Sequence, residues 1–284
     1  MNKPPCDRHS SDWPACSVSL DNPVDQTFGY AGGMKQICEP ATGGLNEIVV
    51  RSGQLFRIFP CLMIAWSTAT GAVAAGPSVP DTIAQRAIAC TACHGKEGRA
   101  TSDGYYPRIA GKPAGYLHNQ LMNFREGRRQ YPLMTYMVDH LSDAYLLEIA
   151  GYFASLHLPY PPPQVIDVPP AVLERGRVLV MSGDSSKNVP ACVACHGKTL
   201  TGVAPFIPGL LGLPRDYLNA QFGAWKNGAR RAAAPDCMAQ VAARLSVEEI
   251  SAASAWLASQ PVPGDLAPLS AASVKLPMSC GSVP

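Results

Sequence analysis

The sequence predicts an all-α fold built from two tandem copies of one small helical domain, joined by a proline-rich linker. Three observations carry that expectation. The pattern C-x-x-C-H-G occurs twice, at 90–95 and at 192–197. The residues after each motif align at an offset that drifts only from about 101 to about 104, the mark of an internal repeat. Apolar residues recur at helical spacing within each copy, and no alternating run is long enough for a strand.

The repeat orders the elements. Pro107 pairs with Pro208, Gly111 with Gly212, Tyr116-Leu117 with Tyr217-Leu218, and Gln120 with Gln221. Phe124 then pairs with Trp225, Gly127 with Gly228, Met134 with Met238, and Leu141 with Leu245. A leading helix is expected at 81–90 and again at 171–181, a middle helix at 113–126 and 214–226, and a closing helix at 142–155 and 246–259. Ser142 and Ser246 stand where an N-cap is needed, and Ser246 with Glu249 has the spacing of a capping box. The first domain is expected over 76–158 and the second over 171–260. Prolines at 159, 161–163, 169 and 170 make 159–170 an extended spacer, and 261–284 a C-terminal tail.

Composition narrows the class of function. Of 284 residues, 47% are hydrophobic and only 15% charged, with 27 Pro and 25 Gly, which suits short elements joined by many turns. A formal net charge of +2 is too weak to argue for nucleic acid. Residues 58–75 form an apolar run preceded by Arg51 and Arg57 and ended by small residues. That is the pattern of a cleaved secretory signal, with cleavage expected after Ala74 or Ala75. A retained anchor is the rival reading, but the run is short for a span and is interrupted by Pro60 and Gly71. The stretch 1–48 precedes this signal without hydrophobic periodicity, so translation is expected to begin near Val49 or Val50. Residues 1–75 are therefore set aside as extension plus signal, and the chain is expected in a bacterial periplasm.

The cysteines then separate into groups. C-x-x-C followed directly by His is the attachment signal for haem c: two thiols bond the haem as thioethers and the His becomes an axial ligand. Cys90, Cys93 and His94 form one site, and Cys192, Cys195 and His196 the other, giving two haem c irons as cofactors. A redox dithiol would sit in a βαβ pattern, which is absent, and zinc would need four ligands. The opposite axial ligand is read from the repeat. The second copy has no further His, and Met238 is the methionine that aligns with one in the first copy, Met134. Met122 reads as helix core. Met137 aligns with Val241, Met181 precedes the motif, and Met278 has no repeat partner. His118, His140 and His157 have no counterparts and read as surface or capping residues.

The run C-x-x-C-H-G, Y-P-R-I-A-G, Y-L-x-x-Q-L-x-x-F-R-x-G-x-R, Met and L-S-D resembles the two-domain di-haem cytochromes c of the cytochrome c-four type, over about 77–260. The resemblance implies a class I cytochrome c fold for each half. It implies that Pro107 and Pro208 offer their carbonyls to the axial histidines, and that the haems lie near a shared interface with a membrane haem–copper oxidase as acceptor. The second half departs from the pattern at 206–210 and 232–237.

Cys237 and Cys280 remain, and an oxidising compartment favours a disulfide between them. Arg125, Arg128, Arg129, Arg230 and Arg231 end the middle helices and read as basic residues complementing helix C-termini. With both axial positions filled, the irons would transfer electrons without binding substrate. The expected function is an electron carrier rather than an enzyme. Its donor would be a quinol-oxidising complex or a dehydrogenase, and it would touch the membrane only through partners or an uncleaved signal. The alternatives are an electron-accepting subunit of a periplasmic dehydrogenase, or a di-haem enzyme with one open iron.

Overall fold

A computed structural model of the chain describes residues 79–283 except 103; the expected signal and the residues before it lie outside the described region. Ten α-helices run through the described residues: α1 (Ile83–Arg86), α2 (Ile88–His94), α3 (Ala114–Arg125), α4 (Pro132–Val138), α5 (Asp143–Ala154), α6 (Pro170–Met181), α7 (Cys192–His196), α8 (Arg215–Lys226), α9 (Cys237–Arg244) and α10 (Val247–Ser259). One short antiparallel pair, β1 (Gly202–Val203) with β2 (Ile207–Pro208), interrupts them. No described helix is long and apolar enough to cross a membrane.

The middle and closing helices stand within a residue of their sequence-derived limits, because capping residues mark them. Ser142 accepts from the Tyr145 N–H, and Ser246 and Glu249 complete the reciprocal capping box. One expectation needs correction. The first leading helix is not continuous: Ala87 closes α1 with bonds back to Ile83 and Gln85, and a new helix carries the cysteine pair. In the second half the leading helix ends at Met181, as expected, and the motif sits on its own five-residue helix, α7. The short helices α4 and α9, which carry Met134 and Met238, were not anticipated.

In the first half, Ala87, Leu117, Ile149, Ala150 and Phe153 form one buried cluster, and Phe124, Val138 and Leu146 a second. In the second half, α6 crosses α10 so closely that a Cβ on Gly176 would run into the backbone carbonyl of Ala252. Glycine is required there by close approach, not by dihedral freedom. Around this crossing lie Val180, Leu213, Leu218, Ala253 and Leu257, with Leu179, Phe222, Leu245 and Ile250 in the adjoining cluster.

The two halves meet along a short backbone ladder. The Gln130 N–H donates to the Ala229 carbonyl (2.7 Å), and the Arg231 N–H to the Arg128 carbonyl (2.8 Å). The Tyr116 N–H reaches the Pro205 carbonyl at 3.0 Å. The proline-rich segment is pinned at both ends. Arg108 donates to the carbonyls of Leu158 (2.5 Å) and Pro159 (2.9 Å), and its guanidinium lies 3.9 Å from the centre of the Tyr160 ring. Further along, the Gln164 N–H donates to Ala258 and its side-chain oxygen accepts from the Arg215 N–H. A segment tied to both halves holds them as a strut, not as a loose tether.

Candidate haem sites

Each cysteine pair lies on a helix that ends at the histidine, so Cys, Cys and His project from adjacent turns of α2 and of α7. The two histidines are buried, and each is fixed by one bond. His94 Nδ1–H donates to the Pro107 carbonyl at 2.8 Å, and His196 Nδ1–H to the Pro208 carbonyl at 2.8 Å. This leaves Nε2 of each ring as the lone-pair nitrogen. Burial pulls both imidazoles below the ordinary histidine range, which keeps them neutral as metal ligation requires.

Burial raises Cys90 and Cys195 above the usual thiol value, and pushes Cys192 up to about 12. Redox dithiols need the opposite, a stabilised thiolate. Among the described residues no group of three or more His, Cys, Asp or Glu side chains is placed to hold a metal ion by itself.

In the second half one apolar cavity is lined by Cys192, Cys195, His196 and Met238. The structure thus brings together all four sequence-derived residues of that site. In the first half, Cys90 packs against the cluster around Leu117 and Phe153, and Met134 against Phe124, Val138 and Leu146. The two clusters adjoin through Leu121 and Leu141, which pack against both. Of the methionines set aside, Met122 is core and its sulfur accepts from Arg125 at 3.1 Å, while Met137 and Met181 are exposed. Met278 is different: it lines the second-half cavity alongside Met238. Its lack of a repeat partner hid it, although its place two residues before Cys280 was a usable signal.

Cys237 and Cys280 form a disulfide with Cα atoms 5.1 Å apart, which draws the tail onto the start of α9. Leu276, Met278 and Val283 thereby become part of the cavity wall. His118 is half-buried within α3 and its Nε2 is buried without a partner, so it is not the surface residue that was expected. His140 and His157 are exposed.

The arginines also bind beyond their own helices. Arg125 stands in the last turn of α3, as expected, and also donates to the Leu141 carbonyl and pairs with Asp143, which ties α3 to α5. Arg129 and Arg230 face one another across the seam and share two glutamines. Gln120 accepts from Arg129 (3.0 Å) and Arg230 (3.1 Å), and Gln221 accepts from Arg129 (2.8 Å) and Arg230 (2.7 Å). Each guanidinium also covers an aromatic ring of its own half, Phe124 or Trp225. Burial, and then the charge of Arg230, pull the Arg129 pKa down.

Arg108, Lys112 and Arg230 are buried and line the second-half cavity. Among the described residues, none of these three, nor Arg129, has a carboxylate at ion-pair distance. Buried cations without counter-charge are costly, so this constellation suits a ligand that carries carboxylates. An apolar slot bounded by two thiols, a neutral imidazole, a thioether and buried cations matches the chemistry of haem c.

No family model matches the chain. The thiosulfate dehydrogenase electron acceptor of Thiomonas intermedia is 38% identical over 189 residues, covering 66% of this chain and 84% of that protein. Cytochrome c4 of Thiocapsa roseopersicina is 35% identical over 194 residues, covering 66% of this chain and 96% of its own length. The crystal structure of reduced cytochrome c4 from Pseudomonas stutzeri superposes with a TM-score of 0.53 at 30% identity, over 61% of this chain and 94% of that one.

Proposed function

The chain belongs to the di-haem class I cytochromes of the cytochrome c4 type, and from that premise we propose how it carries electrons between periplasmic redox proteins. It is an electron carrier, not an enzyme. Cys90 and Cys93 would hold one haem c and Cys192 and Cys195 the other. His94 and Met134 would close the first iron, and His196 and Met238 the second. The observation that carries this reading is the paired geometry: two buried histidines, each held through Nδ1 by a proline carbonyl, with Met238 lining the same cavity as His196.

Haem c supplies the one-electron couple. The protein's part is to fix, shield and balance it. The Pro107 and Pro208 carbonyls orient the imidazoles and raise their donor strength. With His94 and Met134 at one site and His196 and Met238 at the other, bound haems would have no position for substrate and would favour the reduced state relative to harder ligand sets. Arg129, Arg230, Arg108 and Lys112 would face the haem carboxylates and balance their charge. The seam of Gln120, Gln221 and the two arginines would keep both sites at a fixed distance, which a relay needs.

The dehydrogenase-acceptor role is favoured by the relative from Thiomonas intermedia, which is an electron acceptor of thiosulfate dehydrogenase. The donor to this chain is then a periplasmic dehydrogenase of that kind, and the acceptor a haem–copper oxidase. Anaerobic titration tests the relay: two electrons should be taken up per chain and returned in full on reoxidation. Uptake of one electron, or turnover with peroxide, would overturn it.

A further inference from the structure

We propose that Lys112, a residue of the first half, belongs to the second haem site, where its positive charge raises the reduction potential of that iron and leaves the first iron unmoved. The inference rests on the two-haem carrier reading and adds a residue that tunes one site from across the seam.

The repeat shows what the second half does without. Pro107 and Pro208 hold the two histidines. Arg108 follows the first proline, but Gly209 follows the second. A Cβ on Gly209 would lie 2.6 Å from the Thr201 carbonyl oxygen, so the backbone leaves no room for a cation at that position. Lys112 itself corresponds to Leu213, which is buried in the core of its own half with Val180, Leu218 and Leu257. Arg230 is a buried cation of the second half and lines the cavity, but Gln120, Gln221 and Tyr116 hold it at the seam.

Lys112 reaches the place where the missing cation would stand. The start of α3 is packed on the second half: the Tyr116 N–H donates to the Pro205 carbonyl, and a Cβ on Gly115 would strike the Phe206 ring. Two residues before that helix, Lys112 is 5% exposed, and its ammonium donates to the Gly209 carbonyl at 3.2 Å. Gly209 is the very residue that replaces Arg108. The lysine lines the cavity shared by Cys192, Cys195, His196 and Met238. An ammonium has three N–H donors, and Gly209 is its one hydrogen-bond acceptor among the described residues. Two donors remain for a ligand in the cavity. Arg108 lines the cavity as well, but it spends its guanidinium on the carbonyls of Ala110, Leu158 and Pro159. The charge also reaches the histidine. Burial lowers the His196 imidazole most and Lys112 lowers it further, whereas at His94 the further lowering comes from Arg129 of its own half.

A buried ammonium favours the less positive redox state of a neighbouring centre, and so holds an electron on the second iron. At an effective dielectric of about 20, one such charge changes that equilibrium by about tenfold, which for one electron is about 59 mV.

The test is a spectroelectrochemical titration of the haem-loaded full protein and its variants. Lys112→Gln removes the charge but keeps a donor for the Gly209 carbonyl, Lys112→Met removes both, and Lys112→Arg keeps the charge. Met238→Ala, which takes the second iron to a far lower potential, identifies the wave that belongs to the first half. Both neutral variants are expected to lower the second-half midpoint by about 59 mV, the tenfold change, with the Met-to-iron band intact. Lys112→Arg should return it toward the wild-type value. In the Met238→Ala background, Lys112→Gln should leave the first-half midpoint where it is. An unmoved second midpoint, or an equal fall at the first, overturns the proposal. So does loss of the Met-to-iron band in both neutral variants, which would make Lys112 a residue of the fold alone. A wild-type protein that takes up only one electron defeats the two-haem reading itself, whatever Lys112 does.

Discussion

Replacing Cys280 by Ser should loosen the second half alone, by an amount the chain connectivity sets. The disulfide closes a loop with a sequence separation of 43. The loop-entropy relation converts that into about 4 kcal/mol at 25 °C. With a guanidinium dependence of about 4 kcal/mol per molar for a small domain, the unfolding midpoint should fall by about 1 M. Trp225 and Trp256 both lie in the second half and are the two tryptophans of the described residues, so tryptophan emission of the exported protein, freed of its leader, follows that half. Haem quenches this emission in the folded state, and unfolding restores it. Because Cys237 adjoins Met238, the Met-to-iron charge-transfer band should lose up to half its amplitude over the same denaturant range. Mild reduction of the wild type should reproduce the shift, since thioether bonds to haem resist thiol reductants. A midpoint moved by less than about 0.2 M, or a shift confined to the first half, would refute the reasoning.

Three further outcomes are expected. Met238→Ala should open the second iron, so that the reduced protein binds carbon monoxide at one haem while the first half keeps its Met-to-iron band; no carbon monoxide binding would mean that another group, such as Met278 of the same cavity wall, ligates there. Gly176→Ala should destabilise the second half by about 1–3 kcal/mol, because the added methyl meets the Ala252 carbonyl and forces α6 from α10; urea unfolding followed by tryptophan emission measures it. Acid should also unfold the second half before the first. Glu249 is held at about 2 by Lys187, the Ser246 backbone and Arg175, and Asp184 at about 2 by Ser186 and Arg175. Depressed carboxylates contribute stability that is complete above their unfolded values of 4.5 and 3.8 and is lost as pH falls toward 2. Glu249→Gln should flatten that window in an acid titration, and an unaltered profile would show that the Arg175 network contributes nothing.

Sequence disclosed the parts of this molecule that repeat. The two C-x-x-C-H motifs and the aligned methionines were legible because they recur at a nearly constant offset, and the resemblance pointed to the prolines whose carbonyls the structure places on the histidines. The middle and closing helices were legible through their caps and apolar spacing. The short helices α4 and α9 were not, because seven or eight residues hold too few periodic positions, although Asp236 caps α9 by accepting from the Ala239 N–H. The seam was hidden for another reason. Gln120, Gln221, Arg129 and Arg230 all obey the repeat offset, but only packing reveals that the two copies turn these residues toward one another. The tail departs from the repeat altogether. Its role depends on a long-range bond, Cys237 to Cys280, whose pairing the oxidising compartment suggested but whose effect on the cavity wall only the fold displays.

The most direct test of closed, paired haem sites is optical. The exported holoprotein is assayed for covalent haem as the pyridine haemochrome, and the reduced form is then exposed to carbon monoxide. Two haems per chain and an unchanged spectrum are the expected result, with His94 and Met134 closing one iron and His196 and Met238 the other. A carbon monoxide adduct at either haem in the unmodified protein, or a single haem per chain, would contradict it.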